Sequence, residues 1–311
     1  MTIQSAPRYQ FRSHTSKNFP SALSAATIAF VGQPVDERGR ESIASLRGTG
    51  PTLIAFSFDA SDHTISVDGE KSNTRGLRKI LEGHAAVALD ATTLGLGEIL
   101  QILHCLRTNG GTAVNFLYVE PGSYQHKRAD NHKIDEEFSL TNNCKFSAVQ
   151  GFAQQYQADH LSTHVFMLGF EPARLLSAIE QRNWDDSHRT AFHMIVGVPA
   201  FRPGWEAKSI RAHLQVMDDL ELSEADVRYC QANSVRESYL TLWELYRTLG
   251  DDQGCFYVSP LGTKPHALGA ALFLLETRGF IPPTSLYYDH PNRLQKRSEK
   301  IGLWHHVEVR I

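Results

Sequence analysis

A chain of 311 residues with 41% hydrophobic side chains can form one large domain or two modest ones, each with a proper core. Its 31 basic and 34 acidic residues leave a formal net charge of −3, which excludes extensive duplex nucleic-acid binding through a basic surface but not a local cationic pocket. Cys105, Cys144, Cys230 and Cys255 form no CxxC pair, no apolar run reaches about 18 residues, and residues 1–20 lack an apolar signal core. The expectation is a cytoplasmic protein with reduced thiols, no membrane segment and no zinc ribbon.

In chain order, residues 1–22 read as a polar arm, ordered only by a partner. Thr27–Val31 is a first strand stopped by Gly32, followed by an amphipathic helix from about Asp36 to Leu46. Thr52–Phe56 is a second strand, Leu77–Leu81 part of a short helix, Ala85–Leu89 a third strand and Leu94–Leu106 a helix ended by Asn109-Gly110-Gly111. Ala113–Val119 is a fourth strand. Residues 121–162 are polar and charged, and predict an exposed linker with a small hairpin around Phe138–Leu140 and Phe146–Val149.

A second half opens with strand His164–Leu168, stopped by Gly169, then helix 172–181 and strand His193–Val196. Two helices without a first-half counterpart follow, Trp205–Met217 and a run from the capping-box pattern at Ser223 to Gly250, the latter about 39 Å long at helical rise. Strand Cys255–Val258, helix Ala267–Thr277, strand Ser285–Tyr288 and a last strand His306–Ile311 complete the half. Continuous apolar strands alternating with helices predict an α/β fold with mainly parallel sheet. The predicted organisation is an arm (1–22), a Rossmann-like half (23–150) and a second Rossmann-like half (151–311) with a helical insertion at 204–250.

The two halves echo one another. Thr93 and Thr263, Tyr118 and Tyr288, and Pro121 and Pro291 are each 170 residues apart, whereas Gly32 and Gly169 are 137 apart. The gain of 33 is attributed to the helical insertion. A duplicated unit predicts a cleft shared by two related sets of strand ends.

Ser259-Pro260-Leu261-Gly262-Thr263-Lys264-Pro265 follows an apolar strand and opens an apolar helix. Open α/β sheets bind ligands at carboxyl strand ends, and a helix N-terminus offers free N–H groups and partial positive charge. Gly262 permits close backbone approach, Thr263 adds a hydroxyl and Lys264 a charge, so an anion such as phosphate fits; a plain strand–helix turn with an incidental lysine is the competing reading. GxxxxGK[ST] is absent, so neither P-loop hydrolysis nor a bound cofactor is expected. The matching first-half turn, Asp90 to Thr93, carries a carboxylate that can accept from a base or ribose, or simply cap its helix. Arg38 and Arg174, at helix starts beside strand ends, are candidate phosphate clamps or ion-pair partners of Glu37, Glu41 or Glu171. Tyr118 and Tyr288 can stack on a base or pack in the core. The 15 histidines show no ligand spacing, and no GxSxG elbow occurs.

The Ser259–Lys264 turn and the tandem architecture resemble CRISPR-associated Rossmann-fold (CARF-like) sensor domains and their fused two-copy relatives in bacterial antiphage signalling. Those domains bind cyclic or linear oligonucleotide messengers between two halves. The resemblance implies a nucleotide-sensing module within a multi-protein defence system, with Gly262, Thr263 and Lys264 as the residues it carries over; the first-half turn lacks the lysine. The partners expected are a phosphate-bearing small molecule or oligonucleotide and a protein. Two other readings remain: an adaptor holding a larger protein through the arm 1–22 and the helix 224–249, and a nucleotide- or nucleoside-processing enzyme using Asp90, Glu120 or Glu171 as acid or base.

Overall fold

The structure is a computed structural model that describes residues 7–20, 23, 26–107, 112–124, 141–142, 146–154, 161–181, 190–249, 253–293 and 298–311. The elements in chain order are β1 (Phe11–Ser16), β2 (Ile28–Val31), α1 (Glu37–Gly48), β3 (Thr52–Asp59), β4 (Thr64–Val67), β5 (Glu70–Ser72), α2 (Thr74–Leu81), β6 (Ala86–Asp90), α3 (Leu96–Arg107), β7 (Ala113–Tyr124) and β8 (Thr141–Asn142). They continue with β9 (Leu161–Met167), α4 (Pro172–Gln181), β10 (Thr190–Gly197), α5 (Trp205–Asp219), a 3-10 turn (Glu224–Asp226), β11 (Val227–Cys230), α6 (Val235–Arg247), β12 (Gln253–Pro260), α7 (Lys264–Glu276), β13 (Thr284–Leu286), β14 (Asn292–Arg293) and β15 (Ser298–Arg310). The architecture is α/β, with two Rossmann-like units.

One unit comprises Arg8–Asn142 together with Asn292–Ile311. Its sheet runs β1-β15-β7-β6-β2-β3-β4-β5. The centre, β7-β6-β2-β3, is parallel, while β15, β1, β4 and β5 add antiparallel edges. β2 is buried along its whole length because Ile-Ala-Phe-Val can bury both faces. Ala29, Val31, Leu46, Ala88, Leu117, Val119 and Trp304 share one core cluster. α1 is started by Asp36, whose carboxylate accepts from the Gly39 N–H.

The other unit is built on Asn143–Pro291. Its five strands are all parallel in the order β11-β10-β9-β12-β13, the 3-2-1-4-5 order of a doubly wound half. α7 is apolar all round and buried from Pro265 to Glu276, and it packs on α6. Gly269 permits that crossing, since a Cβ there would lie 2.5 Å from the Ser238 Cβ.

Four expectations are corrected. Part of the arm is structured: β1 pairs with β15 from Phe11↔Val309 to Ser16↔Trp304. The last strand is 13 residues long and completes the sheet of the first unit, not the second, because it pairs with β7. The 26-residue helix does not form. The capping box at Ser223–Asp226 opens only a single 3-10 turn, β11 follows, and Ser234 then caps α6 by accepting from the Glu237 N–H. The 204–250 segment is therefore two crossover helices around a third parallel strand, where the first unit has the β4–β5 hairpin, and this difference underlies the offset of 33. The boundary between units falls at Asn142/Asn143 and again at Pro291/Asn292. The predicted Gly110-Gly111 turn and Phe138–Leu140 lie outside the described residues. Within Phe146–Val149, Ser147 makes an antiparallel bridge to Tyr288.

Candidate functional site

In the second unit the strand order reverses between β9 and β12, so the loops after those strands diverge to opposite faces of the sheet. The two loops cross in backbone contact. A Cβ on Gly169 would lie 2.7 Å from the Leu261 carbonyl oxygen, and one on Gly262 would lie 2.5 Å from the Leu168 carbonyl oxygen. Both glycines are thus required by the crossing itself. The first unit repeats the device: a Cβ on Gly32 would lie 2.5 Å from the Thr93 carbonyl oxygen.

Gly262, Thr263 and Lys264 are half-buried at the start of α7. Thr263 is the N-cap: its hydroxyl accepts from the His266 N–H at 3.4 Å and donates to the Ala232 carbonyl at 2.5 Å. Lys264 and Pro265 open the first turn. Proline has no N–H to satisfy there. Among the described residues, the backbone N–H groups of Gly262 and Thr263 donate to no protein acceptor. Two adjacent amides, the positive end of a 13-residue helix and the charge of Lys264 therefore share one loop.

Arg174 holds this loop from beneath and does not face a ligand. Its Nε and Nη2 donate to both oxygens of Asp289, at 2.5 and 2.7 Å, and its Nη1 donates to the Leu261 carbonyl at 2.8 Å. Its guanidinium pKa is raised above the ordinary value: burial alone would lower it, and the hydrogen bonds and charge of Asp289 overcome that. Arg38 is committed in the same manner, to Asp36, to the Ser298 hydroxyl and to the Val119 carbonyl at 3.0 Å. The expectation that these arginines clamp a phosphate is corrected. They are buried at 2% and 6% exposure, and their donors face the fold.

The remaining candidates divide likewise. Asp90 is wholly buried; Ser42 and the Thr92 N–H bond one oxygen at 2.9 and 3.1 Å, and Thr93 bonds the other at 2.7 Å. Burial pushes its carboxyl above the ordinary range. Thr93 in turn accepts from the Gly32 N–H at 2.9 Å. This knot fastens the β6–α3 turn beneath the end of β2, so Asp90 is not a ribose acceptor or an acid–base group. Ser259 is buried, donating to the Tyr287 carbonyl at 2.7 Å and lying 2.8 Å from His164 Nε2. Tyr118 and Tyr288 are buried at 5% and 9%, which leaves their ring faces in the core. Glu120 is bonded to His305 at 2.6 Å. Glu171 is half-buried at the start of α4, and its carbonyl accepts from the Arg174 N–H.

Sequence reasoning read Cys230 as a reduced thiol, which it is, but passed over its pairing with His266, whose Nε2 lies 3.2 Å from its Sγ below the start of α7. Burial pushes the thiol up to about 12 and the imidazole down to about 4, so both are neutral and no thiolate is available for attack. No group of three His, Cys, Asp or Glu residues able to hold a metal occurs among the described residues. No helix among them is long and apolar enough to cross a membrane.

No family model matches the chain, and no curated protein is significantly similar to it. Among solved structures, a putative universal stress protein from Pseudomonas aeruginosa UCBPP-PA14 aligns at 10% identity over 87% of this chain and 95% of that one, with a TM-score of 0.28. A functionally unknown protein from Pseudomonas aeruginosa PAO1 aligns at 9% identity over the same shares, with a TM-score of 0.27. At such scores neither likeness carries weight for function.

Proposed function

We propose that the second unit binds a phosphate-bearing ligand, a nucleotide or oligonucleotide, at the loop that joins β12 to α7, and that it acts as a sensor module. The setting we propose is a multi-protein bacterial antiphage defence system. One observation carries the reading. At the reversal of a 3-2-1-4-5 sheet, the half-buried amides of Gly262 and Thr263 have no protein acceptor among the described residues, and Lys264 follows them on the first turn of α7. Arg174 and Asp289 are positioning residues for that loop. A sensor fits better than a nucleotide- or nucleoside-processing enzyme because Asp90 and Glu120, two of the three candidate acids or bases, are bonded within the chain, and the Cys230–His266 pair is neutral.

Thermal shift of the full chain against inorganic phosphate, mononucleotides and short oligonucleotides tests the reading. A ligand present at about 100 times its Kd adds roughly 2.7 kcal/mol of stability. The expected result is a raised melting temperature with a phosphorylated ligand, a rise that Lys264→Ala abolishes when measured against that variant's own unliganded melting temperature. A flat response to every phosphorylated compound removes the reading.

A further inference from the structure

We infer that the outer edge of the second unit's sheet is a docking groove for an extended, basic and apolar segment of a protein partner. β11 is the terminal strand of the sheet, paired only with β10 among the described residues; on its outer side the Val227 N–H donates to the Glu224 carbonyl and the Val227 carbonyl accepts from Arg228, which leaves the Tyr229 N–H and C=O facing no strand. Val227 and Tyr229, two residues apart, share one face of that strand. With Leu214 and Met217 of α5 and with Leu222 they line a groove of about 780 Å³. Tyr229 is 62% exposed and Leu214 54%, which is costly for large apolar side chains with nothing to cover them.

Charge selects the occupant. Asp218 and Glu224 line the groove, and no lysine or arginine does. Across residues 214–229 there are five carboxylates, Asp218, Asp219, Glu221, Glu224 and Asp226, against the single Arg228. The Arg228 guanidinium donates to the Ala225 and Val227 carbonyls. The open N–H and C=O of Tyr229 anchor the main chain of an extended segment, the apolar floor takes alternate side chains, and the acidic rim takes lysines or arginines between them.

The test is fluorescence polarisation with a labelled ten-residue peptide alternating lysine with valine or tyrosine. The control peptide carries glutamate for lysine. The full chain binds the basic peptide and not the acidic one. Affinity falls about tenfold or more in Tyr229→Ala and in Asp218→Lys with Glu224→Lys. It is unchanged when the same charge reversal is made at the exposed Glu70 and Glu82 of the other unit. N-methylation of the peptide amides weakens binding, since the Tyr229 carbonyl then has no donor to accept from. Tyr229, Asp218 and Glu224 lie at the surface of the groove, Glu70 and Glu82 at the surface of the other unit, and unchanged melting temperatures establish folding. No binding of the basic peptide, equal binding of the acidic one, or equal loss from the Glu70/Glu82 reversal overturns the inference. So does a wild-type dimer in sedimentation that Tyr229→Asp dissolves, since a second copy would then be the occupant.

Discussion

Arg174 and Asp289 form a two-pronged ion pair, Nε to Oδ2 and Nη2 to Oδ1, with side-chain exposures of 8% and 0%. The third prong, to the Leu261 carbonyl, ties the pair to the loop that carries Gly262. Asp289→Ala leaves a buried guanidinium without its counter-charge and is expected to cost about 3–5 kcal/mol in urea unfolding. Arg174→Met combined with Asp289→Leu recovers most of that stability. The double variant nevertheless weakens anion binding at the α7 loop, because Leu261 has lost its anchor.

Substitution of either crossing glycine tests the packing account directly. Gly262→Ala and Gly169→Ala each force a Cβ against backbone oxygen, at 2.5 and 2.7 Å, where no side chain can yield. Each is expected to cost about 1–3 kcal/mol. Gly48→Ala, whose added Cβ meets nothing within 4 Å, leaves stability unchanged or slightly raises it.

Asp90 separates a structural carboxylate from a catalytic one. Asp90→Ala strips the Ser42 hydroxyl, the Thr92 N–H and Thr93 of their acceptor, an expected loss of about 2–3 kcal/mol by urea midpoint. Asp90→Asn keeps an acceptor for Ser42 and Thr92 and can donate to the Thr93 hydroxyl, so it stays within about 1 kcal/mol of the wild type.

His266 gives the fold an acid limit. Burial lowers its pKa to about 4, so the neutral ring contributes stability that is complete above the unfolded value of 6.5. That contribution is lost as the pH falls towards 4. His193, His213 and His306 are also lowered by burial and act in the same direction. The stability of wild type minus His266→Gln is therefore the quantity to follow. It shrinks by about 3 kcal/mol between pH 7 and pH 4, and a constant difference refutes the account.

Neighbouring Cys230 is expected to resist alkylation at pH 8 in the folded chain, because burial holds its thiol near 12. Unfolding in guanidinium exposes it. Rapid labelling of native Cys230 by iodoacetamide, located by peptide mass mapping, contradicts this.

The central strands were legible because Ile28–Val31, Val87–Leu89 and Val165–Leu168 are buried on both faces and so read as unbroken apolar runs. The start of α7 was legible at Pro265, since proline suits a first helical turn, whereas Thr263 was read as a ligand hydroxyl and not as the cap it is. What failed has physical causes. Val227 and Cys230 satisfy a helical spacing as well as a strand, and the Asn233-Ser234 stop that decides between them also fits a polar helix face. β1, Arg-Ser-His-Thr at its centre, shows almost no apolar signal because it is an edge strand, exposed on most of its length. The arginines were found but assigned outward, since nothing local shows that Asp289, 115 residues away, closes on Arg174.

The pairing of β15 with β7 makes the unit encoded first the last to be finished. As the chain emerges from the ribosome, the five parallel strands between Leu161 and Leu286 are already available while β7 still has an open flank. That flank closes, and β1 gains its neighbour, only when Ser298–Arg310 arrives. A nascent chain halted after Pro291 would therefore carry both a mature inserted unit and an exposed β7 edge, the state most open to chaperone capture or mispairing.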